Sequence, residues 1–229
     1  MTASASPSGC GVPSTRAVAI RYVHSPVAVY RVYRSQRSFA AMSSGAAGGL
    51  RSMSSITVQT HATLDGVIDA PPDATLFPYM SDAGRQGALD LALAADALLL
   101  PRETWQGLAR AWREQTGPMA ERLNAMPKYV VSATLGSAEE WDHTTIVGYD
   151  DIAALREREQ LLTYGCGRLA RDLLADGLLD LLVLSLTPVV AGAGRRLFDD
   201  PGHLVRLRLT DSTTFETGAV RLFLKPDRA

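Results

Sequence analysis

One short segment of the sequence combines glycines with the start of a helix in a way that suits phosphate binding. Residues 161–164 are apolar and predict a buried strand, Gly165 and Gly167 predict a turn, and Arg168 begins a helical pattern. This order places backbone N–H groups and the positive end of a helix dipole at the carboxyl end of a strand. Glycine also lets the main chain approach a ligand closely. The turn suits the pyrophosphate of a nucleotide cofactor, but glycine turns before helices are common and the segment alone identifies nothing.

Alternating strands and helices must hold this turn in place. An alternating strand is predicted at 56–62, and apolar strands are predicted at 97–100, 129–132, 144–147, 161–164 and 179–186. Helices are predicted at 81–94, 105–126, 152–158 and 168–176. Apolar strands that alternate with helices predict an α/β fold with a mostly parallel central sheet and helices on both faces. Two more strands, 204–209 and 219–224, have no helix between them and predict an antiparallel C-terminal edge.

The composition divides the 229-residue chain into two parts. Residues 1–54 contain six arginines and no acidic residue, whereas 55–229 has the regular pattern of one folded domain. An Arg- and Ser-rich leader without acids resembles an organelle transit peptide. A disordered tail, or a true start at Met42 or Met53, is the alternative. The net charge of −1 and the lack of a long apolar run predict neither nucleic-acid nor membrane partners.

The cysteines and histidines predict neither a disulfide nor a metal site. Cys10 lies in the leader and Cys166 in the glycine turn, so the chain fits a reducing compartment and is expected to be cytoplasmic, unless the leader targets it to an organelle. Cys166 has no histidine base near it in the sequence and is interpreted as a small packing residue. His61, His143 and His203 are scattered without the spacing of metal ligands.

Five segments in a fixed order resemble one known family. They are 63–66 (TLDG), 97–105 (ALLLPRETW), 127–132 (PKYVVS), 165–169 (GCGRL) and 187–198 (TPVVAGAGRRLF). With these segments, residues 56–225 resemble the dihydrofolate-reductase-like family, and within it the reductase domain of bacterial riboflavin biosynthesis. The resemblance implies a three-layer dihydrofolate-reductase-like fold, NADPH as cofactor and reduction of a small heterocycle.

The resemblance also assigns cofactor contacts by position. A guanidinium and a helix N-terminus can together hold the 2′-phosphate that distinguishes NADPH from NADH. Two departures bear on that preference: Pro101 stands where the family usually has glycine, and Ala133 stands where a basic or polar residue is frequent. The implied contacts are Arg102, Thr104 and Ser132 near the 2′-phosphate, and Gly165, Cys166, Gly167, Arg168 and Leu169 at the pyrophosphate.

Two aspartates and one arginine-containing loop are candidates for the substrate side of the site. Asp65, just after the first strand, is the candidate for proton handling, but an Asp-Gly pair equally predicts a turn. Asp82 is interpreted as a helix N-cap, with Ser81 as the other choice, in preference to a pterin-binding carboxylate. The loop 191–196, with its two arginines, is either a substrate-phosphate site or a plain crossover, and the crossover is favoured.

Three functional hypotheses follow. The leading one is an NADPH-dependent reductase of a pyrimidine- or pteridine-like substrate, with 5-amino-6-(5-phosphoribosylamino)uracil as the best guess. The second is reduction of dihydrofolate. The third is a non-catalytic NADPH-binding protein that serves as a sensor or dimer partner. A homodimer is compatible with all three, and the only other partner expected is a small heterocyclic substrate.

Overall fold

The computed structural model describes residues 54–165, 167–198 and 204–227. Apart from Ser54, the predicted leader lies outside these ranges, as does Cys166. The strands are β1 (Ser55–Thr63), β2 (Ala97–Pro101), β3 (Lys128–Val131), β4 (Thr144–Val147), β5 (Gln160–Tyr164), β6 (Leu181–Thr187), β7 (Leu207–Thr214) and β8 (Val220–Pro226). The α-helices are α1 (Pro72–Thr75), α2 (Asp82–Ala94), α3 (Arg102–Trp112), α4 (Pro118–Ala125), α5 (Ile152–Arg156) and α6 (Arg168–Ala175).

The strands form one eight-stranded sheet in the order β4-β3-β2-β5-β1-β6-β8-β7. All pairings from β4 to β6 are parallel, while β8 pairs antiparallel with both β6 and β7. The predicted mostly parallel sheet with an antiparallel C-terminal edge is confirmed. Because parallel strands end on the same side, the carboxyl ends of β3, β2, β5, β1 and β6 form one continuous edge.

Two apolar cores lie on opposite faces of the sheet and make the fold three-layered. On one face, α5 and α6 pack on β1 through Ile152, Leu155 and Leu173. On the other face, α2, α3 and α4 pack on β2 through Leu91, Trp105 and Leu123. Continuous apolar strands such as 97–100 are buried on both faces, which is why they lack the alternation of a half-exposed strand.

The structure differs from the predicted elements at three places. The strand predicted at 204–209 is β7, which spans Leu207–Thr214 and so takes in part of the predicted connection to the last strand. The helix predicted at 105–126 is two helices, because Gly117 adopts a φ of +104° and Pro118 begins a new helix at its first turn. The one-turn helix α1 begins at Pro72, inside a segment predicted as loop, and it likewise uses proline at a position that needs no N–H donor. At α2 the cap is Ser81, whose Oγ accepts from the Gly84 N–H at 2.9 Å.

Candidate active site

Two helix N-termini meet the carboxyl edge of the sheet side by side. Helix α3 begins at Arg102 directly after β2, and α6 begins at Arg168 shortly after the neighbouring strand β5. Their N-cap residues are Pro101 and Gly167, and neither end has a side-chain cap. The first-turn N–H groups of both helices therefore have no intrahelical acceptor, and both positive dipole ends face one strip of the edge. This strip suits a phosphate or pyrophosphate.

The glycine turn closes against the start of α3. Gly165 has a φ of +74°, and a Cβ built on it would lie 3.6 Å from the Thr104 Oγ1. The Gly165 N–H donates to the Gln59 carbonyl at 3.0 Å, so this amide fixes the turn to β1 and does not face a ligand. Any anion in the turn would be held by the amides that follow. Between the turn and α6 is a small cleft, lined by Pro101, Thr163, Tyr164, Gly165, Gly167, Leu169 and Ala170.

Arg102 and Ser132 are connected through the loop after β3. The Ser132 hydroxyl accepts from the backbone N–H groups of Thr134 and Leu135, at 3.3 and 3.1 Å, and so shapes that loop. The same loop presents Thr134 Oγ1 to the Arg102 guanidinium at 3.4 Å. Arg102 is otherwise exposed. The structure thus brings Arg102, Thr104, Ser132 and Gly165 to the carboxyl ends of three adjacent strands.

The residues assigned to the start of α6 have different environments. Arg168 is 88% exposed, and its Nε lies 3.3 Å from the Asp172 carboxylate one turn along the same helix. Its guanidinium is therefore engaged on the outer surface of α6. Leu169 packs in the apolar core, so only its backbone N–H faces the edge. Cys166 lies outside the described residues.

Asp65 holds two loops together at the ends of β1 and β6. Its Oδ1 accepts from the Thr63 hydroxyl at 2.6 Å and the Ala191 N–H at 3.0 Å, and its Oδ2 accepts from the Gly192 N–H at 2.9 Å. These hydrogen bonds, that from Thr63 first, hold the pKa of Asp65 well below its usual range. A carboxylate kept ionised in this way supplies no proton near neutral pH. The contacts favour the turn interpretation of Asp65 over proton handling.

The arginines of the 191–196 loop are engaged by the same first loop. The Asp69 carboxylate accepts from both the backbone N–H of Arg195 and its Nε, at 2.8 and 3.1 Å. Arg196 donates through Nη1 to the Asp65 carbonyl. Val67 also forms an antiparallel bridge with Arg196. These contacts favour the crossover interpretation, and we call the paired segments 64–69 and 189–197 the loop clasp.

A small, partly open cavity lies on the α2 face of the sheet. Three polar side chains form one row across its floor, because His61 of β1 is in register with Ser185 of β6, and Ser185 with Arg221 of β8. This row was not predicted from the sequence. The complete lining is His61, Leu76, Tyr79, Met80, Gly84, Ala88, Ser185, Thr187, Phe215, Ala219 and Arg221.

Arg221 is 5% exposed and is held from three sides. Its Nε donates to the Ser185 hydroxyl at 3.2 Å, its Nη2 donates to the Gly84 carbonyl at 3.0 Å, and its Cζ lies 5.2 Å from the Phe215 ring centre. The only sequence signals for this arrangement were an arginine inside an apolar strand and the two glycines of α2.

The cavity is positively polarised, with no carboxylate in its lining. Burial, and secondarily the Arg221 charge, lowers the pKa of His61 from 6.5 to about 4, so the imidazole is neutral at physiological pH. Asp82, the candidate pterin carboxylate, is 96% exposed and pairs with Arg85 on the surface of α2. It does not reach the cavity.

Neither a metal centre nor a membrane span is found in the described ranges. No group of three His, Cys, Asp or Glu side chains there has the arrangement of metal ligands. No helix in residues 54–165, 167–198 or 204–227 is both long and apolar enough to cross a bilayer.

Comparison with known proteins identifies the family. The model of the RibD C-terminal domain matches residues 54–221. The chain belongs to this family. Membership in the RibD C-terminal domain family confirms the predicted dihydrofolate-reductase-like fold.

Individual relatives of this RibD C-terminal domain protein are distant. The uncharacterized protein YyaP of Bacillus subtilis (strain 168) is 26% identical over 178 residues, which cover 73% of this chain and 92% of YyaP. A putative riboflavin biosynthesis protein from Shewanella sp. PV-4 has 19% identity and a TM-score of 0.59, with 76% of this chain and 99% of that one covered. A diaminohydroxyphosphoribosylaminopyrimidine deaminase/5-amino-6-(5-phosphoribosylamino)uracil reductase from Thermotoga maritima has 14% identity and a TM-score of 0.54. The match covers 76% of this chain and 56% of that protein. The two crystal structures show the shared fold.

Proposed function

We propose that this RibD C-terminal domain protein is an NADPH-dependent reductase of a pyrimidine- or pteridine-like heterocycle. The observation that carries the proposal is the meeting of two uncapped helix N-termini with Arg102 and the Gly165 turn on one strip of the sheet edge. The cavity on the α2 face supplies a separate place for a substrate. Strand β1 lies between β5, which ends at the strip, and β6, which lines the cavity.

The chemistry of the strip fits a nucleotide that carries both a pyrophosphate and a phosphate monoester. Arg102 is exposed and carries the fork geometry that suits a phosphate monoester, and it lies beside the start of α3. The N-terminus of α6 offers free amides for a pyrophosphate. Pro101 contributes no N–H donor to this set, which leaves more of the phosphate recognition to Arg102 and Thr104. When bound, NADPH supplies the hydride.

The chain's own contribution is to bind and orient. The 5-amino-6-(5-phosphoribosylamino)uracil substrate is the first to test, because the family's riboflavin reductases include a protein described by that activity. We assign Asp65 to positioning the loop clasp, since its oxygens already accept three hydrogen bonds. Alignment of cofactor and substrate is the main demand that hydride transfer makes on a protein.

The two alternative functions are weighted by specific observations. Dihydrofolate reduction is disfavoured because the cavity lining contains no carboxylate to pair with a pterin ring. The non-catalytic NADPH-binding hypothesis is favoured by the engagement of Asp65 in hydrogen bonds, which removes the candidate carboxylic acid from proton transfer. Turnover measurements separate this hypothesis from the proposal.

The test is binding followed by turnover with the full chain. NADPH at a hundred times its dissociation constant should raise the free energy of unfolding by about 2.7 kcal/mol, visible as a thermal shift, and NADH should give a smaller shift. NADPH oxidation is then followed with the riboflavin intermediate and, separately, with dihydrofolate. No thermal shift with millimolar NADPH would refute the proposal. A shift without oxidation of NADPH by either substrate would favour the non-catalytic alternative.

Arg102 provides the sharper test of cofactor choice. Replacing Arg102 with alanine should weaken NADPH binding about 10- to 100-fold and leave NADH binding nearly unchanged, because only NADPH carries the 2′-phosphate. Arg110→Ala, an exposed arginine of the same helix, is the matched control and should alter neither affinity. Equal losses for the two nucleotides in the Arg102 variant would contradict the phosphate assignment.

A further inference from the structure

The cavity floor holds a buried positive charge without a counter-ion. Arg221 is 5% exposed, yet no carboxylate in the described part of the chain forms an ion pair with it. Two of its five N–H groups donate, to Ser185 and to the Gly84 carbonyl, and both of these acceptors are neutral. Taking a charge out of water is costly unless an opposite charge joins it. An arginine kept in this state is a candidate for pairing with a ligand.

The surrounding fold is adapted to this arginine. In α2 the residues facing it are Gly84 and Gly87, and a Cβ at Gly87 would lie 2.5 Å from Nη1. Gly87 is unfavourable in a helix interior, so the helix gives up stability at this position to accommodate the guanidinium.

The rest of the cavity is suited to a flat ring. Phe215 and Tyr79 contribute aromatic faces, and Leu76, Met80 and Ala88 contribute apolar surface. The Ser185 and Thr187 hydroxyls add hydrogen-bonding groups on the floor. Ser185 belongs to the row of His61 and Arg221, and Thr187 lies two residues further along β6 on the same face. The aromatic and apolar lining suits the face of a flat heterocyclic ring. The lining therefore combines stacking surfaces, two hydroxyls and one guanidinium that has no ion pair with a carboxylate in the described residues.

We propose that the ligand of this cavity is a planar heterocycle that carries a negative charge on its ring system, as a ring carboxylate or a deprotonated ring imide, and that Arg221 with Ser185 binds this charge. The inference rests on the proposed function in treating the cavity as the substrate site. It adds the charge and its position to the substrate class. The loop-clasp arginines are already engaged by Asp65 and Asp69, so Arg221 is the cation that the cavity offers.

A matched pair of probes tests the charge directly. Dissociation constants are measured by calorimetry for orotate, which is uracil bearing a ring carboxylate, and for uracil itself, with the wild-type chain and with inorganic phosphate as competitor. We expect orotate to bind about 10- to 100-fold more tightly than uracil. Equal affinities, or no orotate binding at millimolar concentration, would overturn the inference. Displacement of orotate by an equal concentration of phosphate would overturn the assignment of the charge to the ring.

Variants then locate the charge. Arg221→Met should abolish the preference for orotate and leave uracil binding unchanged, while Arg208→Met, an exposed arginine of the neighbouring strand β7, should keep the preference. Arg221→Lys keeps the charge without the fork, and it should keep part of the preference. If the methionine variant does not fold, the lysine variant decides, because an unchanged preference there contradicts the role of the guanidinium. NADPH thermal shifts are measured in parallel. A chain that shifts with NADPH but shows no preference for orotate would contradict the charge assignment alone, since the residues assigned to the nucleotide lie on other strands.

Discussion

A side chain on Gly87 of α2 and the guanidinium of Arg221 on β8 would occupy the same space, since a Cβ on the glycine would lie 2.5 Å from Nη1. The two residues are 134 positions apart in sequence and meet because β8 inserts beside β6, under α2. The glycine therefore reflects a tertiary requirement that overrides helix propensity.

Replacing Gly87 with alanine should destabilise the protein although alanine favours helices. We expect the free energy of unfolding to fall by about 1–2 kcal/mol, because the buried guanidinium must shift and its hydrogen bonds to Ser185 and Gly84 are then strained. The matched control is Gly107→Ala in α3, where no atom lies within 4 Å of the added Cβ. This control should gain up to about 1 kcal/mol. Denaturant titration of both variants checks the pair, and a stabilised Gly87 variant would contradict the packing described.

Asp65→Asn tests the role of the loop clasp. The Ala191 and Gly192 amides donate to different oxygens of the Asp65 carboxylate. In asparagine an NH₂ group replaces one of these oxygens, so one of the two amides loses its acceptor. We expect faster proteolysis within 189–197 and a lower midpoint of thermal unfolding. The pH dependence of NADPH oxidation should keep its wild-type shape, because the pKa of Asp65 lies far below the assayed range. Loss of one limb of that profile would restore Asp65 as the proton-handling group.

The buried His61 should make the free energy of unfolding sensitive to acid. Burial and the Arg221 charge lower its pKa from 6.5 to about 4, so between these values the unfolded chain binds more protons than the folded one. The free energy of unfolding should therefore rise as pH increases through this window, and should fall by about 2 kcal/mol on acidification across it. His61→Gln should flatten this dependence. His143→Asn, at an exposed site with a φ of +60° that asparagine tolerates, should leave it unchanged.

Replacing Lys128, which lies outside the candidate site, should lower the free energy of unfolding strongly. It is fully buried at the start of β3, and its ammonium donates to the carbonyls of Asn124, Met126 and Asp142 at 2.8–3.0 Å. The same group lies 4.6 Å from the Trp141 ring centre. Lys128→Met should lower the free energy of unfolding by about 3 kcal/mol, since three buried carbonyls lose their donor.

The other lysine of the chain is the control for that measurement. Lys225 is exposed near the end of β8, and Lys225→Met should change stability by less than about 0.5 kcal/mol. Calorimetric midpoints and denaturant titrations of the two variants give the comparison. Similar small effects at both positions would show that the hydrogen bonds of Lys128 contribute little.

The elements that depend on local pattern were predictable from the sequence. Strands such as β2 and β5 are apolar runs bounded by proline or glycine, and α6 has both its amphipathic spacing and its terminal Gly177 within the segment itself. The break between α3 and α4 was missed because apolar spacing continued across it. Gly117 and Pro118 carried the local signal that should have decided it.

The substrate side of the site was not predictable in the same way. Arg221 sits in an apolar strand, and its partners Ser185 and Gly84 lie 36 and 137 residues away, so no spacing in the sequence connects them. The role of Asp65 likewise depends on amides 126 and 127 residues further along the chain. The residues of the cofactor strip were easier to predict, because they directly follow in sequence the strands that position them.

The insertion of β8 between β6 and β7 has a consequence for synthesis on the ribosome. Every residue assigned to the nucleotide strip lies between 101 and 169, whereas Phe215, Ala219 and Arg221 come from the last hairpin of the described chain. The nucleotide half can therefore assemble while the nascent chain is still being extended. The cavity acquires its charge only when the final hairpin has been released and paired with β6, so a ribosome-stalled or C-terminally clipped chain would retain the strip and lack the substrate floor.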